Sequence, residues 1–326
     1  MSATAAPRRA LRALRRAGNR LVNFVDPPIL VLAYHRVATL ERDPQALSVR
    51  PEHFRAQMRH LRERYMLLRF GDPWPRAERP AAIVTFDDGY ADNALAALLI
   101  LEEERVPATF FVSVGAVESG REFWWDELER WLLAPAPVPD RLELGDAPDR
   151  GAWPLRTEEE RSDCYHSLHG LFRRFTPARR ERWLDELRAA CRGGAAPRPS
   201  HRPLSVGDIA RLGKSSWASV GAHGVTHTPF AALPAADQRD EMRTSRERLR
   251  AWSGAAVETF SFPFGGRHDF TRDSVRLARE AGFRRVAANI PGQVHRWPDP
   301  YVVPRFLVRD WAAEQFALEL TRFQTA

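Results

Sequence analysis

Seven short apolar, β-rich runs, each followed by a helical pattern, constrain this chain more than any other feature. The runs are Ile29–Tyr34, Ala81–Phe86, Ala108–Val114, Trp217–Gly221, Val257–Phe262, Arg284–Asn289 and Tyr301–Val308. They are nearly continuous in apolar residues rather than alternating, as parallel strands covered on both faces should be. Between them, Pro51–Tyr65 carries Phe54, Met58 and Leu61 at i, i+4, i+7, and Ala91–Arg105 stops short of Pro107. Ala235–Trp252 and Thr271–Ala281 complete the alternation, with Gly282 placed as a helix stop. Strands linked by crossover helices predict an α/β fold, a (β/α) barrel one unit short of the eight-fold form.

One stretch interrupts the rhythm. Between strands three and four, residues 118–203 carry helical patterns at Glu122–Leu133, Thr157–Phe175 and Thr176–Ala190. Thr176-Pro177 reads as an N-cap followed by Pro at N1. Pro-rich joints at 134–139 and 195–203 flank this helical insertion, which either covers the barrel top or decorates it. The expected organisation is a basic tail over 1–28 and a barrel over 29–326 with the insertion at about 118–203.

Charge decides which partners to expect. The formal net charge is +7. Six arginines and no acid lie in residues 1–25, which leaves residues 26–326 at +1. A nearly neutral body offers little attraction to phosphate backbones, so no nucleic-acid partner is expected. Lys214 is the only lysine, which marks the arginine excess as compositional bias. No apolar leader follows the arginines and nothing approaches an 18-residue membrane span, so a cytoplasmic location is expected. Leu11, Leu14, Leu21 and Phe24 fall roughly on one helical face opposite the arginines. That pattern fits peripheral contact with anionic lipid through residues 8–24, or a frayed tail. Two cysteines, Cys164 and Cys191, form no disulfide framework.

The residues suited to chemistry collect just after the strands. Thr85-Phe86-Asp87-Asp88-Gly89 follows the second run. Adjacent carboxylates at a buried strand end need a compensating cation or proton, and a bend at Gly89 to aim both at one place. His223-Gly224-Val225-Thr226-His227 follows the fourth run, where Gly224 and Pro229 argue for a loop whose two rings can still converge on one ion. Two His and one Asp form a common metal set with open positions. Phe260–Gly266 ends the fifth run in a Pro–Gly turn that exposes backbone N–H groups, and His35 ends the first. In a parallel barrel all strand C-termini share one face, so these residues from four strands meet there.

Thr85–Gly89, the His223/His227 pair and Phe260–Gly265 resemble the first three motifs of the polysaccharide deacetylases, the NodB-homology or carbohydrate esterase family 4 group. The resemblance spans roughly residues 29–310 and implies a distorted (β/α)7 barrel, with the helical insertion between strands 3 and 4. It implies an amide hydrolase that removes acetyl groups from sugars with a divalent metal, usually Zn²⁺. On that resemblance Asp87 is the general base, Asp88, His223 and His227 hold the metal, and the backbone N–H of Phe264 binds the oxyanion. Tyr34-His35 matches a permuted-motif subgroup resembling the poly-N-acetylglucosamine deacetylases, which makes His35 the general acid and His295 the second choice. Two positions depart from the pattern. Gly224 stands where Ser or Thr is usual, and Ser261 where an Arg usually orients the catalytic Asp, a role left for Arg305 or Arg267.

Trp124, Trp125 and Trp297 offer faces for sugar stacking, although a helical Trp pair also suits a core. The expected substrate is an N-acetylated sugar, a glycan, or a lipid-linked or nucleotide sugar. Two other classes remain at this point. One is a catalytically silent glycan-binding barrel, motivated by Gly224 and Ser261. The other is a non-haem Fe(II) oxygenase, since two His and one carboxylate also suit that ion.

Overall fold

The structure is a computed structural model that describes residues 22–74, 79–134, 138–146, 148, 150–191, 196–295 and 298–325. Trp297 and most of the basic tail lie outside the described residues. Val22–Asp26, which is described, leaves Phe24 and Val25 exposed. No helix among the described residues is long and apolar enough to cross a membrane.

The strands are β1 (Ile29–Tyr34), β2 (Arg36–Val37), β3 (Ser48–Val49), β4 (Met66–Leu68), β5 (Ala81–Phe86), β6 (Ala108–Val112), β7 (Arg141–Leu144), β8 (Gly151–Pro154), β9 (Ala218–Ala222), β10 (Thr259–Ser261), β11 (Arg285–Ala287) and β12 (Phe306–Leu307). Eight of them form one sheet in the order β11-β10-β9-β6-β5-β1-β12, with β4 paired to the first half of β5. Every pairing in this sheet is parallel. The two ends of the sheet meet through residues 303–307, where Val303 bridges to Ala287 of β11 and Phe306–Leu307 pairs with β1. The curled parallel sheet with its surrounding helices is the distorted (β/α)7 barrel. Pro304 has no N–H to give the ladder, so the expected strand Tyr301–Val308 is broken there.

Strand alternation sorts residues between two layers. Ile29, Val31, Ala81, Ile83 and Phe111 fill the barrel interior with Val294 and Val303. Leu30, Leu32, Tyr34, Val84, Phe86 and Phe110 face outward and pack beneath the helices. With both faces covered, β1 and β5 are buried along their whole lengths. The same alternation continues past Ile83, so Thr85 and Asp87 point inward at the C-terminal mouth.

Three helices sit where the apolar spacing placed them, at Pro51–Arg64, Ala235–Ser253 and Arg272–Glu280, while within the expected Ala91–Arg105 a π-helical stretch at Asn93–Ala97 precedes the α-helix Leu98–Glu104. Helices Val114–Ser119, Val206–Lys214 and Ala313–Phe323 and strand β4 are additional to that reading. Between β6 and β9 the chain forms helices Trp124–Leu132, Glu158–Phe172 and Pro177–Ala190 and also the antiparallel hairpin β7–β8. Thr157 caps the second of these with a reciprocal Glu160 bond, and Thr176 caps the third ahead of Pro177. This segment has an apolar cluster of its own, built on Trp125, Leu128, Tyr165, Leu168, Phe172 and Trp183. Tyr90 of the barrel belongs to the same cluster and Phe264 packs against it.

Close packing at β9 sets a limit on side-chain size. A Cβ at Gly221 would lie 2.5 Å from the Phe111 ring and 2.7 Å from Thr259 Oγ1. Gly221→Ala is expected to lower unfolding stability by about 1–3 kcal/mol in urea titration. Gly170→Ala, in a helix with nothing within 4 Å of the added carbon, should stabilise by about 0.5–1 kcal/mol instead.

Candidate active site

Asp87 and Arg305 form a buried ion pair at the barrel mouth. Arg305 Nη1 donates to Asp87 Oδ1 at 2.8 Å and Nη2 to Oδ2 at 2.6 Å, with both residues at most 1% exposed. The guanidinium also donates to Thr85 Oγ1 at 3.1 Å and Ser261 Oγ at 2.9 Å. Ser261 therefore accepts from the arginine, and Arg305 reaches Asp87 from the break after Pro304. The other candidate for this position, Arg267, is exposed. Burial pushes the Asp87 carboxyl upward, but the charges of Arg305 and His223 outweigh it and hold the group below its ordinary value.

Asp88 turns back beside it. Its φ of 72° and the 90° of Gly89 bend the chain as soon as β5 ends. The bend therefore begins one residue earlier than the glycine alone would place it. Asp88 Oδ1 lies 3.0 Å from His227 Nε2 and 3.5 Å from His223 Nε2. One donor atom from each of the three residues falls within 4.8 Å of the others, and all three are buried. Burial raises the Asp88 carboxyl, yet the two imidazoles hold it well below the usual range. His223 Nδ1 lies 2.7 Å from the Ser261 carbonyl, which places the proton on Nδ1 and leaves Nε2 free as a ligand. One carboxylate and two imidazoles with open Nε2 atoms fit a zinc-class divalent cation.

The His-x-x-x-His loop is held from two sides. Glu241, on the helix Ala235–Ser253, accepts from the backbone N–H groups of Val225 and Thr226 and from Thr226 Oγ1 at 2.7 Å. A Cβ at Gly224, where φ is +73°, would lie 2.8 Å from Glu241 Oε2. The carboxylate thus occupies the space that a Ser or Thr there would need. Arg180, from the helix Pro177–Ala190, donates to the Thr226 carbonyl at 2.9 Å. His227 itself has a φ of 50°, and Phe264 one of 59° with its ring 4.8 Å from that of His227. Three non-glycine residues in the left-handed region at one site mark locally stored strain.

These groups face a cavity of about 200 Å³. His35, Asp87, Asp88, His223, His227 and Phe264 all line it. Burial drives the His35 imidazole below its ordinary value although the two aspartates pull it up. His35 Nδ1 makes no hydrogen bond among the described residues. Trp125 lines the cavity, donates from Nε1 to Tyr90 Oη at 2.7 Å and sets its ring 4.7 Å from His227. Trp124 lines a separate cavity between the helices and the His loop, and both tryptophans are buried. His295 lies apart. It stands beside Asp26 next to the Ile29–Val294 bridge, at the N-terminal end of β1 and the far end of the barrel. Arg173, His169, Asn289 and Arg309 also line the cavity. Sequence reasoning missed these four and Glu241, because each is a single polar residue on an element whose position only the fold reveals.

A parallel barrel whose strand ends gather an Asp-Asp turn, a His-x-x-x-His loop and an arginine-bound aspartate belongs to the carbohydrate deacetylase class of hydrolases. The family model described as polysaccharide deacetylase matches residues 75–138 and 205–286. These two segments contain the Asp-Asp turn, the His pair and the third motif, so the chain carries a polysaccharide deacetylase domain. Among solved structures it is similar to the Streptococcus pyogenes deacetylase PplD in complex with acetate, at 15% identity and TM-score 0.58, covering 90% of this chain and 97% of that one. It is also similar to BC0361, a polysaccharide deacetylase from Bacillus cereus, at 20% identity and TM-score 0.57, covering 90% and 69%. IcaB from Ammonifex degensii aligns at 18% identity and TM-score 0.55, covering 92% and 97%. These likenesses are of fold. No curated protein sequence matches the chain.

Two predictions come from this geometry. Arg305→Ala leaves the Asp87 charge buried and unpaired, which should cost about 3–5 kcal/mol in denaturant unfolding at pH 7. Because Asp87 sits below its ordinary value, the stability it contributes is complete above the usual carboxylate range. That contribution is lost as pH falls through the depressed value. The variant should lose this acid dependence. Glu241→Ala frees the loop between His223 and His227 and should weaken affinity for a divalent cation about 10–100-fold by calorimetry.

Proposed function

We propose that this protein hydrolyses an N-acetyl group from an amino sugar within a glycan, or within a lipid-linked or nucleotide-sugar precursor. Asp88, His223 and His227 would hold a divalent cation, Zn²⁺ by the chemistry of the donor set. When bound, such an ion polarises an acyl oxygen and lowers the pKa of a water. The observation that carries the reading is the bidentate Arg305–Asp87 pair beside the Asp88–His223–His227 group in one cavity.

The chain's own residues have distinct tasks in this reading. Asp87, kept ionised by Arg305, accepts a proton from the attacking water. The backbone N–H of Phe264 donates to the oxyanion that develops on the acyl carbonyl. His35, across the same cavity, gives a proton to the departing amine. Acetate and a free amino sugar are the products. Trp125 packs against His227 and walls the cavity, and the same indole offers a surface to the sugar. Residues 8–24 would add peripheral contact with a membrane, consistent with the exposure of Phe24 and Val25.

The two departures from the family pattern each have a counterpart. Arg305 stands in for the arginine that Ser261 replaces, and Glu241 secures the loop at Gly224. Both favour an active enzyme over a silent sugar-binding barrel.

Acetate release from a panel of N-acetylated sugars tests the assignment. Asp88→Ala and His227→Ala should lose Zn²⁺ and activity together, and chelation of the wild type should do the same. Asp87→Asn should retain Zn²⁺ while kcat falls about 10²–10⁴-fold, the range of a lost general base. Full activity in metal-stripped Asp88→Ala protein would refute the proposal.

A further inference from the structure

One charged group in the cavity wall forms no ion pair among the described residues. Arg309 follows Leu307 of β12 by two residues and lines the cavity that holds His35, Asp87 and Asp88. Its Nη1 donates to the carbonyl of Gln45 at 2.8 Å and to that of Ala46. Those carbonyls come from a turn in which Ala46 adopts a φ of 52°, a conformation costly for a residue with a Cβ. Asp43, on the same turn, is committed to the backbone N–H groups of Leu47 and Ser48 at 2.9 and 2.7 Å. Its field reaches Arg309, but no ion pair forms there among the described residues. Nε and Nη2 of Arg309 make no hydrogen bond among the described residues, so one edge of the planar fork stays available.

The other charged groups of the cavity are matched. Arg305 neutralises Asp87, and Arg173 is bound by Asp269, with Nη2 2.6 Å from Oδ1. Burial pushes His169 down to about 4, so it is neutral at physiological pH. Asp88 stands among the cation ligands, where a bound divalent ion more than cancels it. Arg309 is then the cavity's cation without a direct ion pair among the described residues, since nearby Asp43 is held by two backbone N–H groups, and it is already fixed in orientation through Nη1. A half-buried guanidinium with a free edge makes short, charge-assisted bonds to planar or tetrahedral oxyanions, and it does so more strongly than in open water. Asn289, with its side-chain oxygen buried and unpartnered among the described residues, offers an acceptor for a sugar hydroxyl in the same cavity.

We propose that Arg309 is a specificity-determining residue that selects an N-acetylated sugar bearing an anionic substituent, a phosphate or a carboxylate, close to the amide that is hydrolysed. The inference rests on the deacetylase reading and names the substrate class within it. A neutral glycan meets an unpaired charge at this position, whereas an anionic sugar completes it.

The test compares three amides with the Zn²⁺-loaded full chain: N-acetylglucosamine 1-phosphate, N-acetylmuramic acid as the carboxylate, and neutral N,N′-diacetylchitobiose. At low salt the KM for at least one anionic substrate should lie about tenfold below that for the neutral one, and the gap should narrow as salt rises. Which anionic substrate shows the lower value separates phosphate from carboxylate. Arg309→Gln should raise the KM of that substrate about tenfold more than the neutral one, with kcat for it falling less than KM rises. Arg309→Lys, which keeps the charge and loses the fork, should recover part of the difference. Equal KM values for charged and neutral substrates in the wild type would overturn the inference, as would equal effects of Arg309→Gln on both. If none of the three amides releases acetate, the deacetylase reading fails on these substrates. Calorimetric binding of N-acetylglucosamine 1-phosphate and N-acetylmuramic acid to wild type and Arg309→Gln then decides the role of Arg309, and equal affinity of the two proteins for each anion overturns it.

Discussion

The buried pair between Asp87 and Arg305 is the interaction on which the rest of this site depends. Removing two charges from water costs more than an ordinary contact returns, so such a pair persists only with good geometry and with its remaining hydrogen-bonding capacity satisfied. Both conditions hold here. The guanidinium binds the carboxylate through two parallel bonds, and its other donors reach Thr85 on β5 and Ser261 on β10. The arginine thereby ties β5, β10 and the segment after β11 together at the barrel mouth. Arg305 stands two residues after Val303, which also faces the barrel interior, so strand alternation aims it inward.

Around that pair, the backbone is held in conformations that free residues avoid. Asp88, His227 and Phe264 all have positive φ, and each belongs to the putting-together of one cavity. Strain of this kind survives only where packing and hydrogen bonds over-determine the conformation. Two elements outside the barrel strands do this for the histidine loop. Glu241 binds its amides from one side and Arg180 its carbonyl from the other. Arg180 is itself an expensive residue to bury, with one terminal nitrogen lacking a partner among the described residues and its pKa pushed down to about 10 by burial. The segment between β6 and β9 thus contacts the candidate site directly. Trp125 lies against His227, and Arg173 stacks on Phe264 with its guanidinium carbon 4.5 Å from the ring centroid.

Much of this architecture was legible in the residue order, and the parts that were not share a cause. Fully buried parallel strands have continuous apolar sequences, so Ile29–Tyr34 and Ala81–Phe86 were read with the bounds that the structure has. Short or half-covered elements were not. β4 is three residues long and only partly buried, and β7–β8 is a hairpin of two four-residue strands inside a stretch dominated by helical spacing. Residues directly after strand ends were legible because barrel topology brings those ends together whatever the details. Arg305 was one of two candidates for its position, and only the fold separates it from exposed Arg267. His35 and His295 illustrate the same limit, since the two lie at opposite ends of one barrel. Glu241 and Arg309 carried no signal, because a lone glutamate on a polar helix or a lone arginine after a strand looks like solvated surface.

The distribution of charge has the same structure at two scales. Across the chain, an excess of +7 reduces to an arginine tail ahead of a body close to neutral. Within the body, most arginines of the described residues are matched by a carboxylate, as in the Arg198–Glu122 and Arg188–Glu127 pairs that brace the helices between β6 and β9. Within the cavity wall, where Arg305 and Arg173 are both paired, a cation without an ion pair is informative. A neutral body gives no long-range field to gather anionic partners, so any preference for them must come from contact at short range. Arg309 is placed for such contact. It sits beside the reacting centre rather than on the open surface, held by carbonyl groups that orient it without cancelling its charge.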